Sequence, residues 1–214
     1  MPRILHIQFR RGRPERFLVQ WDTGEEQLFS PEICLKYGFA PGKEFSGEAL
    51  AGILHEDAVQ QAKDQALRYL TYRPHSRQEL LRKTVQKGYP PEAVEEALDA
   101  LEKVDLVNDE TFARLFIENE LLLRPCGRRL LKEKLLAKGV SPELFEPLLE
   151  EAYAQKSEER IAGELAAKFL AKHSRPLPEA LRERLIRYLQ RRGFSWEVIR
   201  WVLYDSGLME EERD

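Results

Sequence analysis

The chain has 214 residues, enough for one large or two small domains and for a core that needs no covalent staples. Hydrophobic residues make up 43% and charged residues 33%, which excludes an intrinsically disordered chain. The balance of 34 Lys and Arg against 37 Asp and Glu, net −3, excludes a uniformly basic coat for nucleic acid but leaves room for local basic faces. Cys34 and Cys126 lie far apart, with neither a disulfide framework nor zinc-ligand spacing. No apolar run approaches the ~20 residues of a spanning helix, and Met1-Pro2-Arg3-Ile4 does not begin a signal peptide. The expectation is a cytoplasmic protein with no membrane partner.

In chain order, residues 3 to 30 read as a small antiparallel β meander. Ile4, Leu5, Ile7 and Phe9 alternate loosely with polar residues, and Arg11-Gly12-Arg13-Pro14-Glu15 makes a turn. Phe17-Leu18-Val19-Gln20-Trp21, a turn at Asp22-Thr23-Gly24-Glu25, and Gln27-Leu28-Phe29 follow. Ser30-Pro31 opens a short helix that Gly38 stops, and helical spacing begins again at Ser46. From about residue 55 apolar residues recur at intervals of three and four, as at Val59, Ala62, Ala66, Leu67 and Leu70, and the rest of the chain reads as helical.

An internal repeat organises that helical part. Three segments superimpose on Gly88, Gly139 and Gly193, which are 51 and 54 residues apart. Each has a cation before the glycine (Lys87, Lys138, Arg192), an apolar residue after it (Tyr89, Val140, Phe194) and a glutamate four after it (Glu92, Glu143, Glu197). The chemistry is that of a helix end: glycine takes the left-handed residue cheaply, the cation complements the negative helix terminus, and Ser141 or Ser195 caps the next helix. Pro91 and Pro142 suit a first helical position, whereas Pro147 predicts a kink or a short first turn. Further helices at 55–72, 108–123 and 157–173 complete three units of three helices. The predicted fold is mainly α: three tandem three-helix repeats in an elongated curved array behind the β meander. The expected divisions are an N-terminal β-containing extension at 1–54, repeats at 55–105, 106–156 and 157–208, and an acidic tail at 209–214.

Charge is segregated within each repeat. The helix before each glycine is basic: Arg77, Arg82, Lys83 and Lys87 in the first, Arg128, Arg129, Lys132, Lys134 and Lys138 in the second, Arg182, Arg184, Arg187, Arg191 and Arg192 in the third. The helix after the glycine is acidic in the first two repeats and only weakly so in the third, where Glu197 and Asp205 face Arg200. Solvated faces and helix-dipole matching account for any one such helix. Three repetitions of the same polarity point to a basic ridge suited to a polyanion, either a phosphate backbone or an acidic or DNA-bearing partner protein.

Catalytic constellations are absent from the sequence. There is no phosphate-binding G-x-x-x-x-G-K-[ST], no G-x-G-x-x-G and no H-E-x-x-H, and His6, His55, His75 and His173 have no ligand spacing. His75 reads as a structural residue beside a helix cap, and the two cysteines as ordinary thiols. Trp196 and Trp201, five apart in the last helix, either pack the terminal unit or offer an aromatic contact to a base or a partner. No enzyme activity, cofactor or metal is expected.

These residues also resemble a known family. Ala66-Leu67-Arg68-Tyr69-Leu70, Arg73-Pro74-His75-Ser76, Glu79-Leu80 and Lys87-Gly88 are similar to the opening motif of the RecX regulatory proteins. Leu106-Val107-Asn108-Asp109 with Phe112-Ala113 resembles the second signature, with Asn108 where the family often has aspartate. Gly127 and Lys138-Gly139 resemble the third, and Tyr188-Leu189 with Arg191-Arg192-Gly193-Phe194 the last, so the likeness spans about residues 57 to 206. It implies a non-enzymatic modulator that lies in the groove of the RecA–single-stranded-DNA filament and inhibits strand exchange, ATP hydrolysis and coprotease activity, or caps filament growth; a monomer is expected. Single-stranded and double-stranded DNA are the nucleic-acid partners considered. The alternatives left open by the residues themselves are a direct DNA-binding helical module and a non-catalytic interaction scaffold.

Overall fold

The computed structural model describes residues 1–12, 14–173 and 178–209. Arg13 of the first turn, Pro176 and the acidic tail beyond Met209 lie outside them. The chain forms two compact units, Met1–Val107 and Asn108–Asp214. Among the described residues there is one three-stranded sheet and ten helices.

The first unit opens on β1 (Ile4–Arg10), β2 (Arg16–Trp21) and β3 (Glu26–Phe29), an antiparallel meander in sequence order as expected. Phe17 pairs with Phe29 and Ile7 with Val19, so one face gathers the apolar side chains. Buried on that face, the Trp21 ring meets Phe29, Phe39 and Phe45 edge-on at 6.2–6.3 Å between centroids, the geometry in which ring edges meet ring faces favourably. Helix α1 (Pro31–Lys36) follows Ser30, and Gly38 adopts φ 56°.

Helix α2 runs unbroken from Gly47 to Tyr72, capped by the Ser46 hydroxyl, which accepts the Ala49 N–H. The division expected at 54/55 therefore falls inside one helix. Local pattern hid this, because the amino-terminal half of α2 serves a different core. Ile53 packs with the sheet residues, whereas Ala62 and Ala66 pack with Leu80, Val94, Leu98 and Leu101. Between the two cores Asp57 is buried. Its carboxylate accepts the Ser30 N–H (2.8 Å), the Ser30 hydroxyl and the Gln61 amide (2.6 Å), which latches the start of α1 to the middle of α2.

The first bundle adds α3 (Arg77–Val85) and α4 (Pro91–Glu102). The second unit holds α5 (Asp109–Leu123), α6 (Arg128–Ala137), α7 (Pro142–Gln155), α8 (Glu158–Lys172), α9 (Pro178–Arg191) and α10 (Trp196–Asp205). Helices α5 to α10 share one core that runs from Phe112 through Leu131, Leu149 and Leu185 to Leu203. The repeat chemistry is where the spacing put it: Gly88, Gly139 and Gly193 have φ of 97°, 78° and 81°. Val140 and Phe194 send their N–H groups back to Leu135 and Leu189, closing the turn behind the glycine. Asn108, Ser157 and Ser195 cap α5, α8 and α10 through their side chains. Ser141 differs: it occupies the cap position of α7, but its side chain makes no capping hydrogen bond to a backbone N–H. Helix α7 continues through Pro147, so the short first turn expected there is not found.

The second and third repeats also meet backbone to backbone. The Gly127 N–H donates to the Arg192 carbonyl at 2.8 Å, and the Arg192 guanidinium donates to the Pro125 carbonyl at 2.8 Å. A Cβ on Gly127 would lie 2.6 Å from the Gly193 carbonyl carbon and from the Phe194 nitrogen. Only a residue without a side chain lets these two chain segments touch.

Candidate polyanion-binding surface

The fourteen cations singled out in the sequence separate into two groups once their neighbours are known. Arg77 is caged by α4, with Glu95 at 2.9 Å, Asp99 at 2.6 Å and Glu102 at 3.2 Å. Its partial burial alone would lower its pKa, but the hydrogen bonds it donates to Asp99 and Glu95 and the charge of Glu102 outweigh that and hold it above its ordinary value. Arg128, at the same distance before its glycine, is gripped by Glu150 and Glu158 and lies 5.0 Å above the Tyr153 ring. Lys132 pairs with Glu146 at 2.7 Å and Lys134 with Glu120. Lys83 is turned inward, 2.8 Å from His75 Nε2 and over the Tyr69 ring. Much of the charge segregation in the first two repeats thus closes on itself: the basic helix of each bundle is tied by the acidic helix that follows it.

Most of the remaining cations face solvent, whereas Lys138 and Arg192 are half-buried. Arg82 and Lys87 of the first repeat are exposed and without an ion pair among the described residues. Arg129 has only a loose contact with Glu133 (3.9 Å) and donates to the Gln190 carbonyl at 3.3 Å, which brings it beside Arg191. Helix α9 is the densest case. Arg182, Arg184, Arg187 and Arg191 are all exposed, and among the described residues only Arg187 has a carboxylate within ion-pair distance, Glu183 of its own helix at 3.9 Å. Arg192 lies over the Tyr188 ring at 5.2 Å.

Arg184, Arg187 and Arg191 line an open cleft of roughly 310 Å³ with Phe169 and His173 of the α8 end. Its aromatic wall is a ladder: His173 stacks on Phe169 at 4.3 Å, and Phe169 on Tyr188 at 5.0 Å. Three guanidinium groups beside flat rings suit phosphate oxygens and bases better than a small apolar ligand. The charge tally in the sequence found these arginines. It missed His173 and Phe169, whose signal is their spacing of four on one helix face.

His75 and the cysteines do not join this surface. His75 is buried with its Nδ1 2.9 Å from the Arg73 carbonyl, while Arg73 forks onto the buried Glu79 at 3.2 Å through each nitrogen. Cys34 is pushed up to about 11 by burial and by the charge of Asp57, and burial raises Cys126 as well, so both thiols are held protonated. Among the described residues no group of three or more His, Cys, Asp or Glu is assembled for a metal, and no helix is long and apolar enough to cross a membrane.

The architecture defines a class: a protein of tandem three-helix bundles that presents guanidinium groups on one bundle helix and assembles no catalytic constellation among its described residues. Comparison with known proteins specifies it further. A family model for the first three-helix domain of RecX matches residues 62–101, and one for the third matches residues 157–203. Regulatory protein RecX of Geobacillus kaustophilus is 31% identical over 218 aligned positions, covering 100% of this chain and 81% of that protein. The Geobacillus thermodenitrificans protein of the same name is 30% identical over 217 positions, covering 99% and 80%. A crystal structure of regulatory protein RecX superimposes with a TM-score of 0.67 at 20% identity, over 94% of this chain and 98% of that one. That of RecX from Lactobacillus salivarius gives 0.63 at 23% identity, over 72% and 99%. The chain belongs to the RecX family of regulatory proteins.

Proposed function

We propose that the chain is a non-catalytic regulator of the RecA recombinase that binds the RecA–single-stranded-DNA filament in its helical groove and lowers its ATPase, strand-exchange and coprotease activity. Family membership supports the recombinase as partner. The single observation that carries the mode of binding is the row of exposed arginines on α9, which among the described residues meet no carboxylate of another helix, where the first two repeats spend their equivalent charge on their own acidic helices. A filament offers phosphates and acidic protein at regular intervals, so several weak contacts on one chain reinforce one another and resist displacement. Arg184, Arg187 and Arg191 would meet that surface first, with Arg129 beside them and Arg82 and Lys87 on the first repeat.

The test is ATP hydrolysis by RecA on single-stranded DNA with and without the protein. The wild-type chain is expected to slow hydrolysis at equimolar amounts. The triple variant R184E/R187E/R191E is expected to fold, because these side chains are exposed and support no core contact, and to lose the effect. Unchanged hydrolysis with wild type, or full inhibition by the folded triple variant, would refute the proposal.

A further inference from the structure

The third repeat departs from the other two on the helix after the glycine. Seven and eleven residues beyond the glycine stand Glu95 and Asp99 in the first repeat and Glu146 and Glu150 in the second. All four carboxylates hold cations of their own bundle. In the third repeat those positions are Arg200 and Tyr204, and eight beyond the glycine Trp201 replaces Glu96 and Pro147. Arg182, the counterpart of Arg77 and Arg128, consequently lacks the equivalent carboxylates on α10, and neither Arg182 nor Arg200 has an ion pair among the described residues.

The helix geometry places these substitutions together. At about 100° per residue, Trp196, Arg200, Tyr204, Glu197 and Trp201 fall in that order on one continuous arc of α10. Val198, Ile199, Val202 and Leu203 fall on the opposite arc and are buried in the core. Trp196 is 51% and Trp201 46% exposed, large values for indoles in a well-packed unit, and the Trp201 ring passes over Gly163 of α8, where a Cβ would lie 3.7 Å from it. The exposed arc therefore presents two flat rings and, between them, a guanidinium without an ion pair among the described residues, with the Glu197 carboxylate on the Trp201 side of it. That is the chemistry of a single-stranded nucleic acid platform, with bases on the rings and phosphate on the cation.

We infer that the exposed arc of α10, centred on Trp196, Arg200 and Trp201, is a stacking site for bases of single-stranded nucleic acid, separate from the arginine row of α9. The inference concerns contact with the strand itself and holds whether or not a recombinase is bound. An acidic protein segment would find the cation but would leave two indoles without a flat partner, so the strand is the occupant favoured.

Titrating oligothymidylate into the full-length chain at low salt tests this through tryptophan emission. Trp21 is 2% exposed in the sheet core, so any quenching comes from α10. Quenching on binding is expected, with each of W196A and W201A weakening the complex about 5- to 150-fold at an unchanged salt slope. R200A is expected to flatten the log–log salt slope by about 0.7. W196F and W201F, which keep an aromatic face, are expected to retain most of the affinity. Titration without quenching, wild-type affinity in a W196A/W201A protein of normal circular dichroism, or equal quenching by polyglutamate would each overturn the assignment. RecA ATP hydrolysis is measured on the same samples: its failure to respond to wild type would refute the groove regulator, while the oligonucleotide titration judges the stacking site alone.

Discussion

Gly127→Ala probes the contact between the second and third repeats, because this glycine has φ −79° and no conformational reason to be glycine. Its reason is proximity. A methyl group there would meet the Gly193 carbonyl and the Phe194 nitrogen within 2.6 Å, and both are backbone atoms that no rotamer change can move aside. Relieving the clash separates the α9–α10 turn from the start of α6 and stretches the 2.8 Å bond from the Gly127 N–H to the Arg192 carbonyl. Overpacking of this kind costs about 1–3 kcal/mol, and the weakened hydrogen bond adds about 1 kcal/mol. A loss of about 2–4 kcal/mol should lower the melting point of a unit of roughly a hundred residues by on the order of 10–20 °C. The comparison is Gly88→Ala, where a Cβ meets nothing within 4 Å and only φ 97° opposes it, a strain of about 1–2 kcal/mol. Gly193→Ala should exceed both, since it combines φ 81° with an approach of 2.5 Å to the Leu130 nitrogen. Urea unfolding followed by circular dichroism ranks the three. If Gly127→Ala loses no more stability than Gly88→Ala, the two repeats are not held together at this point.

Other perturbations separate the caged cations from the free ones. Arg77→Ala should destabilise the first unit by about 1–2 kcal/mol in urea melts, because it leaves three carboxylates facing one another, whereas Arg182→Ala should change stability by less than about 0.5 kcal/mol. Leu80→Ala, Leu131→Ala and Leu185→Ala, each at a fully buried site, should cost about 2–5 kcal/mol by the same measurement. His75 has a pKa below its usual 6.5, first through burial and then through the nearby charges of Arg73 and Lys83. The unfolded chain therefore binds this proton more readily, so the stability contribution is complete above pH 6.5 and falls as pH drops from there toward the lowered folded value. His75→Asn should flatten that part of the pH–stability curve, and an unchanged slope in the variant would show that other groups set it.

The glycine-centred repeat was legible because every part of it acts within a few residues: a left-handed turn, a capping hydroxyl, a proline at the first helical position. The strand–turn–strand–turn–strand order of the meander was legible for the same reason, since its turns are marked by local Gly, Pro and Asp residues. Pairing across elements was not legible. A tally of charges by helix cannot distinguish Arg77, which is caged by its own bundle, from Arg182, which forms no ion pair among the described residues, yet counting from each glycine does reveal the missing carboxylates. Gly127 is silent for a related reason, since its contact is with a backbone more than sixty positions away. The continuity of α2 escaped local pattern because its two halves bury their apolar residues in different cores.

That helix has a mechanical consequence. At 1.5 Å per residue its 26 residues make a shaft about 39 Å long, with the sheet bolted to one end by Ile53 and Asp57 and the first bundle threaded onto the other by Ala62 and Ala66. There is no hinge between them within the shaft. A molecule that seizes the β-sheet would thereby set the heading of α3 and α4 as well, so the amino-terminal region serves as a handle through which the first bundle can be steered.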